Sequence, residues 1–234
     1  MRAILLAAGF GSRLNPLTDK IPKCLVPING QPRLEIWLHR LSNAKIGPFL
    51  INTHYLPEQV ETFLSETIYR QKSTIVYESK LLGTAGTLLN NIDFYEENDG
   101  ILIHADNYCL ADFTGFIDSH NKRPRQCLLT MMTFKTETPS SCGIVELDSD
   151  GVVVGFHEKV SSPPGNIANG AIYILSSEFM KEIKIKHPFA KDFSTEILNQ
   201  YLGRIYTYET LDVFLDIGTQ ESYMKANVLA ENIL

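Results

Sequence analysis

The sequence of 234 residues contains few cysteines, no excess of basic residues and no long apolar run. Its cysteines form no C-x-x-C pair and no set with histidines at zinc-ligand spacing, so neither a disulfide framework nor a structural zinc site is expected. They are Cys24, Cys109, Cys127 and Cys142, which we predict to be reduced, buried thiols. With 21 basic and 27 acidic residues the formal net charge is −6, which argues against a surface that neutralises a nucleic-acid backbone.

Membrane and repeat signals are also lacking. The apolar run at the N-terminus is too short to cross a bilayer, and Gly9 ends it before a signal-peptide cleavage pattern can form. No internal repeat, charge block or C-terminal hexapeptide solenoid pattern is present. We therefore expect a cytoplasmic protein without membrane or nucleic-acid partners, folded as a single domain over residues 1–234.

Apolar segments rich in β-branched residues alternate with segments of helical period, which is typical of an α/β fold with a largely parallel sheet. Strands are predicted near residues 2–7, 48–53, 73–78, 100–105, 127–134, 143–147, 152–157, 170–175, 204–208 and 212–216. Beyond residue 127 the predicted strands lie closer together, with Asp150-Gly151 as a hairpin turn, so antiparallel strands and a small second lobe are expected there. The domain thus divides into halves 1–126 and 127–234.

Three helices can be predicted from their starts. Pro32 can occupy the first position of an amphipathic helix, Pro57 opens a second helix, and Thr219 is suited to cap a final one. The apolar face of the first of these helices consists of Leu34, Trp37, Leu38 and Leu41.

The most informative segment follows the first strand and reads A-G-F-G-S-R-L-N-P-L-T, then P-K-C-L-V-P. Glycines such as Gly9 and Gly11 allow backbone N–H groups to approach phosphate oxygens without an intervening side chain. Arg13 supplies a forked donor for phosphate oxygens, and Lys23 supplies a compact positive charge. The segment therefore favours phosphate binding.

Two other interpretations of these glycines stand beside phosphate binding. An ordinary βα turn with surface basic residues would also account for two glycines. A dinucleotide-binding turn would require a third glycine where Leu14 stands, and an acid at a strand end roughly 20 residues on. Glu35 instead falls inside the helix predicted after Pro32, which disfavours this second alternative.

The pattern G-x-G-x-R-L-x-P-L-T followed by P-K-x-L-V-P-I, over residues 9–28, resembles the signature of the sugar-1-phosphate nucleotidylyltransferases, the pyrophosphorylases that make nucleotide-sugars. The resemblance implies a Rossmann-like, doubly wound mixed sheet with a small sugar-binding lobe, in a short form without a solenoid. It also implies that Arg13 and Lys23 hold the triphosphate and steady the departing pyrophosphate. Ala8, Gly9 and Gly11 would lie along the nucleotide.

The segment L-G-T-A-G-T at 82–87 is similar to the family loop that borders the nucleobase. The resemblance implies nucleotide contacts for Gly83, Thr84 and Gly86. On its own the segment equally predicts a helix start capped by Thr84, and the two interpretations are compatible.

Two acids follow predicted strands. Asp106 ends the apolar strand near 100–105, and ligands of open α/β sheets lie beyond the carboxyl ends of strands, although a simple turn aspartate is the alternative. D-I-G-T, starting at Asp216, resembles the family's D-x-G-T, which provides a second carboxylate. Mg²⁺ commonly takes one or two carboxylates together with substrate phosphates, and it is the cofactor that the resemblance implies.

Three later motifs, G-I-V-E, F-H-E-K and N-G-A-I-Y-I, resemble family motifs for the sugar phosphate. The resemblance implies that Glu158 accepts hydrogen bonds from sugar hydroxyls and that Lys159 binds the sugar phosphate. It also implies that Gly143 and Asn169 border the sugar. Alone, Glu158 and Lys159 would be a solvated pair at a strand end. The implied sugar-phosphate residues are Asn107, Gly143, Glu158, Lys159, Asn169 and Gly170.

The segment K-D-F-S-T-E at 191–196 precedes a helix predicted over 193–202, which Asp192 or Ser194 would cap. We rank capping ahead of catalysis for this segment. His104 and His157 are interpreted as structural or surface histidines.

The resemblance covers the chain from Gly9 to Asp216, with the motifs in family order. It implies direct attack of a sugar 1-phosphate on a nucleoside triphosphate, with release of pyrophosphate. The alternative of a non-catalytic nucleotide-sugar-binding regulatory subunit is disfavoured because four residues suited to catalysis are all present. These four are Arg13, Lys23, Asp106 and Asp216.

The substrate prediction rests on loop similarity. L-G-T-A-G is most similar to guanylyltransferases that act on mannose or heptose 1-phosphate, so GTP and a manno-configured sugar phosphate are predicted. The short length also resembles uridylyltransferases acting on amino-sugar 1-phosphates, and H-A-D-N at 104–107 resembles phosphocholine cytidylyltransferases. Both alternatives stay open, as does a homodimer.

Overall fold

The computed structural model describes residues 1–231, and residues 232–234 of the predicted domain lie outside the described part. Strands and helices alternate along most of the chain, joined by short 3₁₀ turns. The strands are β1 (Arg2–Leu6), β2 (Pro27–Ile28), β3 (Gln31–Pro32), β4 (Phe49–Thr53), β5 (Ser73–Tyr77), β6 (Gly100–His104), β7 (Asn107–Cys109), β8 (Leu129–Lys135), β9 (Gly143–Leu147), β10 (Val153–Glu158), β11 (Ile167–Leu175), β12 (Ile205–Glu209) and β13 (Phe214–Asp216). The helices are α1 (Arg33–Asn43), α2 (Pro57–Ser65), α3 (Thr84–Asn90), α4 (Phe113–Asn121), α5 (Ser177–Lys186) and α6 (Gln220–Glu231).

The chain forms two compact units. The parallel-sheet unit comprises Arg2–Leu81, His104–Ala111 and the described residues from Asp212 onward. The mixed-sheet unit comprises Leu82–Ile103 and Asp112–Leu211.

The parallel-sheet unit is built on β1, β4 and β5, which pair in parallel in the order β1-β4-β5. Every residue of β4 is buried, as expected for a strand of a parallel sheet that is covered on both faces. Two short antiparallel ladders, β2–β3 and β7–β13, lie in the same unit. The second ladder pairs Asp216 with Asn107 and so fixes where the two predicted acidic motifs stand.

Helices α1 and α6 contribute to the apolar interior of the parallel-sheet unit. The predicted apolar face of α1 is confirmed, because Leu34, Trp37, Leu38 and Leu41 are all buried. Helix α6 packs Ala226 and Ala230 into a cluster with residues of the signature loop and the short ladders. The other buried members of that cluster are Leu14, Ile28, Tyr108 and Ile217.

The mixed-sheet unit contains the antiparallel pairs β10–β9, β9–β11, β11–β6 and β11–β8, and the parallel pair β8–β12. Its aromatic residues pack closely beside the sheet: the ring centroids are 4.8 Å apart for Tyr173 and Phe193, and also for Phe179 and Tyr201. Parallel and antiparallel pairing within one α/β protein confirms the predicted mixed sheet.

Some local predictions need correction. Helix α1 begins one residue later than predicted, because Pro32 pairs with Pro27 between β3 and β2. The segment predicted as a helix at 193–202 is a π-helical turn followed by a 3₁₀ turn. Asp192, rather than Ser194, caps it by accepting a hydrogen bond from the Thr195 N–H at 2.7 Å.

Thr84 does not cap α3. Gly83 occupies the cap position, and the Thr84 Oγ1 accepts a hydrogen bond from the Phe193 N–H at 2.7 Å instead. The predicted cap at Thr219 is confirmed, because its Oγ1 accepts a hydrogen bond from the Ser222 N–H at 3.2 Å.

The four cysteines differ in burial. All four cysteines are free; three are buried as predicted, whereas Cys142 is only half-buried. Burial raises the pKa of the Cys24 and Cys109 thiols to about 12, so both are protonated near neutral pH. Within residues 1–231, no helix combines the length and the apolar composition that a membrane span requires.

Candidate functional site

The glycine-rich loop follows β1. Its backbone is anchored just before the loop and has open space beside Gly9. The Ala7 N–H donates to Asn52 Oδ1 at 2.7 Å, which anchors the chain just before the loop. Apart from Gly9 and its two chain neighbours, no atom of residues 1–231 lies within 4 Å of the point where a Cβ at Gly9 would stand. Gly11 has φ +69°, and a Cβ there would lie 2.9 Å from Thr18 Cγ2. Only glycine fits position 11 without strain.

Arg13 lies in the 3₁₀ turn Ser12–Leu14, where buried Leu14 anchors the turn and leaves Arg13 exposed. Its guanidinium lies against the backbone of Gly218, since a Cβ on that glycine would be 2.7 Å from Arg13 Nη2. The glycine of the D-I-G-T motif therefore makes room for the arginine of the signature loop. The loop and Asp216, two residues before Gly218, are thereby brought together.

Lys23 begins the 3₁₀ turn Lys23–Leu25 and is buried, with its side chain 9% exposed. Its Nζ donates to Asp106 Oδ2 at 2.6 Å, across 83 residues of sequence. Two residues that were predicted from separate motifs are therefore in direct contact.

The backbone around Asp106 is held from several directions. The Ala105 N–H donates to the Leu6 carbonyl at 3.1 Å, which ties this segment to the end of β1. From helix α1, Arg33 Nη1 donates to the Asp106 carbonyl at 2.7 Å and Trp37 Nε1 donates to the Asn107 carbonyl at 3.1 Å. The main chain at Asp106 is thus held independently of Lys23.

Arg33 was not singled out from the sequence. It is fully buried, and the charges of both Asp106 and Asp216 act on its guanidinium. Burial lowers the pKa of Arg33 from its ordinary value, and these carboxylates partly offset that effect. The available signal was its spacing: Arg33, Trp37 and Arg40 lie at i, i+4 and i+7, on one face of α1. All three bond to the main chain of residues 106–111.

In the mixed-sheet unit, the loop before α3 is joined to a segment more than 100 residues further along. The Ala85 N–H donates to the Lys191 carbonyl at 2.9 Å. Gly83 has φ +80°, and a Cβ there would lie 2.3 Å from the Lys191 oxygen. A Cβ on Gly86 would also be close, at 3.1 Å from Leu82 Cβ. The predicted nucleobase loop thus requires glycine at position 83.

The predicted sugar-phosphate residues of this unit lie on adjoining strands. Glu158 of β10 is directly opposite Gly143 of β9, and a Cβ on that glycine would be 2.6 Å from Glu158 Oε2. Lys159 follows in a left-handed conformation with φ +50°, and its Nζ is 3.4 Å from Glu158 Oε1. The structure therefore brings Gly143, Glu158 and Lys159 together.

Asn169 and Gly170 lie on the next strand, β11, where Ala168 pairs with Ile144 of β9. The Asn169 amide is used within the strand: Nδ2 donates to Tyr173 Oη at 2.7 Å, and Oδ1 accepts from the Ala171 N–H at 2.9 Å. Ala171 has φ +53° within an irregularity of the β11–β8 pairing. The asparagine side chain thus stabilises this bend in the strand.

The histidines behave differently from each other. His157 Nε2 lies 2.6 Å from Glu146 Oε1, which agrees with a structural or surface role. His104 lies near Asp106, and its charge is among those that act on the carboxyl. It is therefore part of the surroundings of the candidate site.

Comparison with known proteins identifies the family. The family model for nucleotidyl transferases matches residues 2–232. The chain belongs to this family.

Three relatives illustrate the similarity to other nucleotidyl transferases. A glucose-1-phosphate adenylyltransferase from Thermotoga sp. (strain RQ2) is 30% identical over 97% of this chain, which spans 59% of that relative's length. A solved structure from Bacillus anthracis, provisionally named a glucose-1-phosphate thymidylyltransferase and bound to sucrose, is 25% identical with a TM-score of 0.89, covering 100% of this chain and 96% of that one. HddC from Yersinia pseudotuberculosis, solved with GMP-PN, is 26% identical with a TM-score of 0.81, covering 98% and 99%.

The donor set of this nucleotidyl transferase suits a magnesium ion that is shared with a substrate. Among residues 1–231, no group of three or more His, Cys, Asp or Glu side chains could hold a metal by itself. Asp106 is partly exposed, and Asp216, exposed at the end of β13, stands beside Asn107. Mg²⁺ is commonly bound by one or two carboxylates, with water and phosphate oxygens as its other ligands. Asp106 and Asp216 fit this preference.

The Lys23–Asp106 pair predicts an acid-dependent loss of stability. Burial of Asp106 opposes its ionisation, but the charges of Lys23, His104 and Arg33 and the Lys23 hydrogen bond outweigh burial and lower its pKa from 3.8 to about 2. A carboxyl with a depressed pKa in the folded state stabilises the protein above the unfolded-state pKa. We therefore expect the free energy of unfolding to fall as the pH drops from 3.8 towards about 2.

Urea unfolding of the parent and of Lys23→Met across this pH range tests the prediction. The parent should lose more stability on acidification than Lys23→Met, in which the pKa of Asp106 lies closer to its ordinary value. Asp99, whose pKa is lowered chiefly by a hydrogen bond with His120, contributes equally to both proteins. Equal slopes would show that the Lys23 ammonium does not stabilise the carboxylate.

Proposed function

We propose that the chain is a sugar-1-phosphate nucleotidylyltransferase, which joins a nucleoside triphosphate to a sugar 1-phosphate and releases pyrophosphate. The observation that carries the proposal is the 2.6 Å contact between Lys23 and Asp106, beside the ladder that pairs Asp216 with Asn107. Arg13 against Gly218 adds a second cation to the same unit. Cations and carboxylates in this arrangement suit a polyanionic substrate bound with a divalent metal.

In the proposed reaction, Arg13 and Lys23 bind the triphosphate and stabilise the charge that develops on the leaving pyrophosphate. Asp106 and Asp216 would hold Mg²⁺, which when bound offsets charge on the phosphate oxygens. The sugar phosphate is already ionised at neutral pH, so no strong general base is required. The contribution of the protein is therefore the positioning and electrostatic stabilisation of two anions.

We assign the sugar phosphate to the mixed-sheet unit. Glu158 has acceptor oxygens suited to sugar hydroxyls, and Lys159 is exposed and can meet a phosphate. Gly143 lets Glu158 lie close against β9, because a Cβ on that glycine would be 2.6 Å from Glu158 Oε2. Gly170 stays a predicted contact, and Asn169 stabilises the bend in β11. Asn107 is the predicted contact of the parallel-sheet unit, where it adjoins Asp106.

We assign the nucleotide to Ala8, Gly9, Gly11, Arg13 and Lys23 of the parallel-sheet unit. Gly83, Thr84 and Gly86 stay predicted nucleotide contacts on the strength of the family resemblance alone. GTP with a mannose- or heptose-type sugar phosphate stays the favoured pair, supported by the L-G-T-A-G loop and by the similarity to HddC, which was solved with GMP-PN. The adenylyltransferase and thymidylyltransferase names of the other two relatives make ATP and dTTP the principal competitors. A cytoplasmic location, a single domain and a homodimer are retained as predictions.

Pyrophosphate release measured for ATP, CTP, GTP, UTP and dTTP against a panel of sugar 1-phosphates and phosphocholine tests the activity and the substrate together. We expect turnover with a sugar 1-phosphate only when a divalent cation is present. Phosphocholine as the sole productive acceptor would replace the proposal with a cytidylyltransferase. Nucleotide-sugar binding without turnover of any pair would favour a regulatory subunit.

Glu158→Ala should weaken the use of the sugar phosphate and spare the nucleotide. The expected loss in kcat/KM for the sugar phosphate corresponds to about 1.5–3 kcal/mol, the range for hydrogen bonds that involve a charged group. Affinity for the triphosphate, measured by calorimetry with Mg²⁺, should stay within a few-fold of the parent.

Glu146→Ala is the matched control, because Glu146 is an exposed acid on the neighbouring strand, paired with His157. It should leave both substrates unaffected. Loss of triphosphate binding in a folded Glu158→Ala protein, with the sugar-phosphate dependence unchanged, would reverse the assignment.

A further inference from the structure

Arg33 is a buried cation to which the proposed reaction gives no role. Its side chain is fully buried in the parallel-sheet unit, so it cannot reach a substrate. Nη1 donates to the Asp106 carbonyl at 2.7 Å, whereas Nε and Nη2 are buried and have no hydrogen-bond partner among residues 1–231. An ordinary structural arginine would have these donors satisfied, because an unsatisfied buried donor is costly.

What compensates the Arg33 charge is the pair of carboxylates. The charges of Asp106 and Asp216 both act on the guanidinium, and no other aspartate or glutamate is prominent among its influences. A buried charge is tolerated only where opposite charge offsets its lost hydration. The two acids assigned to the metal are thus also the counter-ions of Arg33.

The charges around this carboxylate pair are already balanced without a metal. Lys23 bonds to Asp106, and the Arg33 guanidinium, which bonds to the Asp106 carbonyl, interacts electrostatically with both acids. Two cations therefore offset the two carboxylates. The guanidinium would repel a divalent cation that approaches alone, which offsets part of the attraction of the carboxylates. A cation that arrives already bound to a triphosphate brings its own compensating charge.

We propose that Arg33 is a positioning and charge-balancing residue of the metal site. It fixes Asp106 through its main-chain carbonyl and keeps the carboxylate pair from binding a free divalent cation, so that the cation enters together with the triphosphate. The inference rests on the proposed function, because it takes Asp106 and Asp216 as metal ligands.

The test measures binding of Mn²⁺ alone, by loss of the free-ion electron paramagnetic resonance signal. Arg33→Gln removes the charge but can still donate to the Asp106 carbonyl, and Arg33→Lys keeps the charge. Arg33→Gln should bind Mn²⁺ about tenfold more tightly than the parent or better, because a positive charge close to the site has been removed. Arg33→Lys should stay within about threefold of the parent, since it retains that charge.

Arg40→Gln is the matched control. Arg40 lies on the same face of α1 and donates to the Ala111 carbonyl at 3.0 Å, but its charge is not among those that act on Asp106. It should leave Mn²⁺ binding unchanged. A general loosening of the segment held by α1 would alter this variant as well, and that result would overturn the charge-balancing role.

Unchanged or weaker Mn²⁺ binding in folded Arg33→Gln would overturn the inference. If that variant does not fold, Arg33→Met is measured in its place and decides by the same criterion.

The parent is also titrated with Mn²⁺ in the presence of the triphosphate that the substrate panel identifies. If no Mn²⁺ binds even then, the metal assignment of the proposed function fails. Tight joint binding with no effect of Arg33→Gln would overturn only the inference.

Discussion

Asp106→Asn and Asp216→Asn should each lower turnover by about 10³-fold or more, while the protein stays folded. A bound metal ion contributes several kcal/mol of charge stabilisation to phosphoryl transfer, and each 1.36 kcal/mol corresponds to a factor of ten in rate. Asparagine preserves the size of the side chain but removes the negative charge that would hold the ion. Pyrophosphate release with Mg²⁺ measures the effect, and circular dichroism confirms the fold.

The structure explains why the fold should survive Asp106→Asn. The segment at Asp106 is held through its backbone by Arg33, Trp37 and Leu6, and those bonds do not involve the carboxylate. Asp118→Asn, at an exposed position on α4, serves as the control and should retain full activity. Near-normal turnover of either Asp106→Asn or Asp216→Asn with Mg²⁺ present would remove the two-carboxylate metal site from the mechanism.

Lys23→Ala should lower kcat by about 10²- to 10³-fold, the scale observed when one preorganised electrostatic donor is removed. Lys23 is held in a buried position by the turn after Pro22 and by its contact with Asp106, so its ammonium needs little reorganisation during the reaction. Initial rates at varied triphosphate concentration separate kcat from KM.

Lys20→Ala provides the comparison for Lys23→Ala, because Lys20 is an exposed lysine of the same segment. It should leave kcat close to that of the parent. A change in KM alone for Lys23→Ala would mean that the ammonium binds the ground state and the transition state equally well, contrary to the proposed role.

The main strands could be predicted from the sequence because burial on two faces requires continuous apolar runs, as in β4. The short strands β2, β3 and β7 could not, since ladders of two or three residues carry no periodic signal. A strand was predicted near 170–175, within β11, but its irregularity at Ala171 could not be predicted, because alanine gives no sign of a positive φ.

The candidate site shows a similar division. Family resemblance named Lys23 and Asp106, but no spacing rule predicts that residues 83 positions apart lie 2.6 Å from each other. Arg33 escaped notice because an arginine within an amphipathic pattern is ordinarily exposed. Only the folded chain shows that it is buried and bonded to the Asp106 carbonyl. Gly83 was predicted because its loop resembles a family motif. Only the structure shows that position 83 requires glycine, because the Lys191 carbonyl occupies the space of a side chain.

The bonds between the loop before α3 and the segment at Lys191 have a consequence for engineering. The Lys191 carbonyl fills the space beside Gly83 and accepts the Ala85 N–H, and Thr84 accepts the Phe193 N–H. A chimaera that exchanges only residues 82–87 with a relative of different base preference would separate a matched pair of segments. Exchanging 191–193 together with 82–87 transfers the pair intact. Under our proposal that residues 82–87 border the nucleobase, base preference should therefore be transplanted as two segments rather than one.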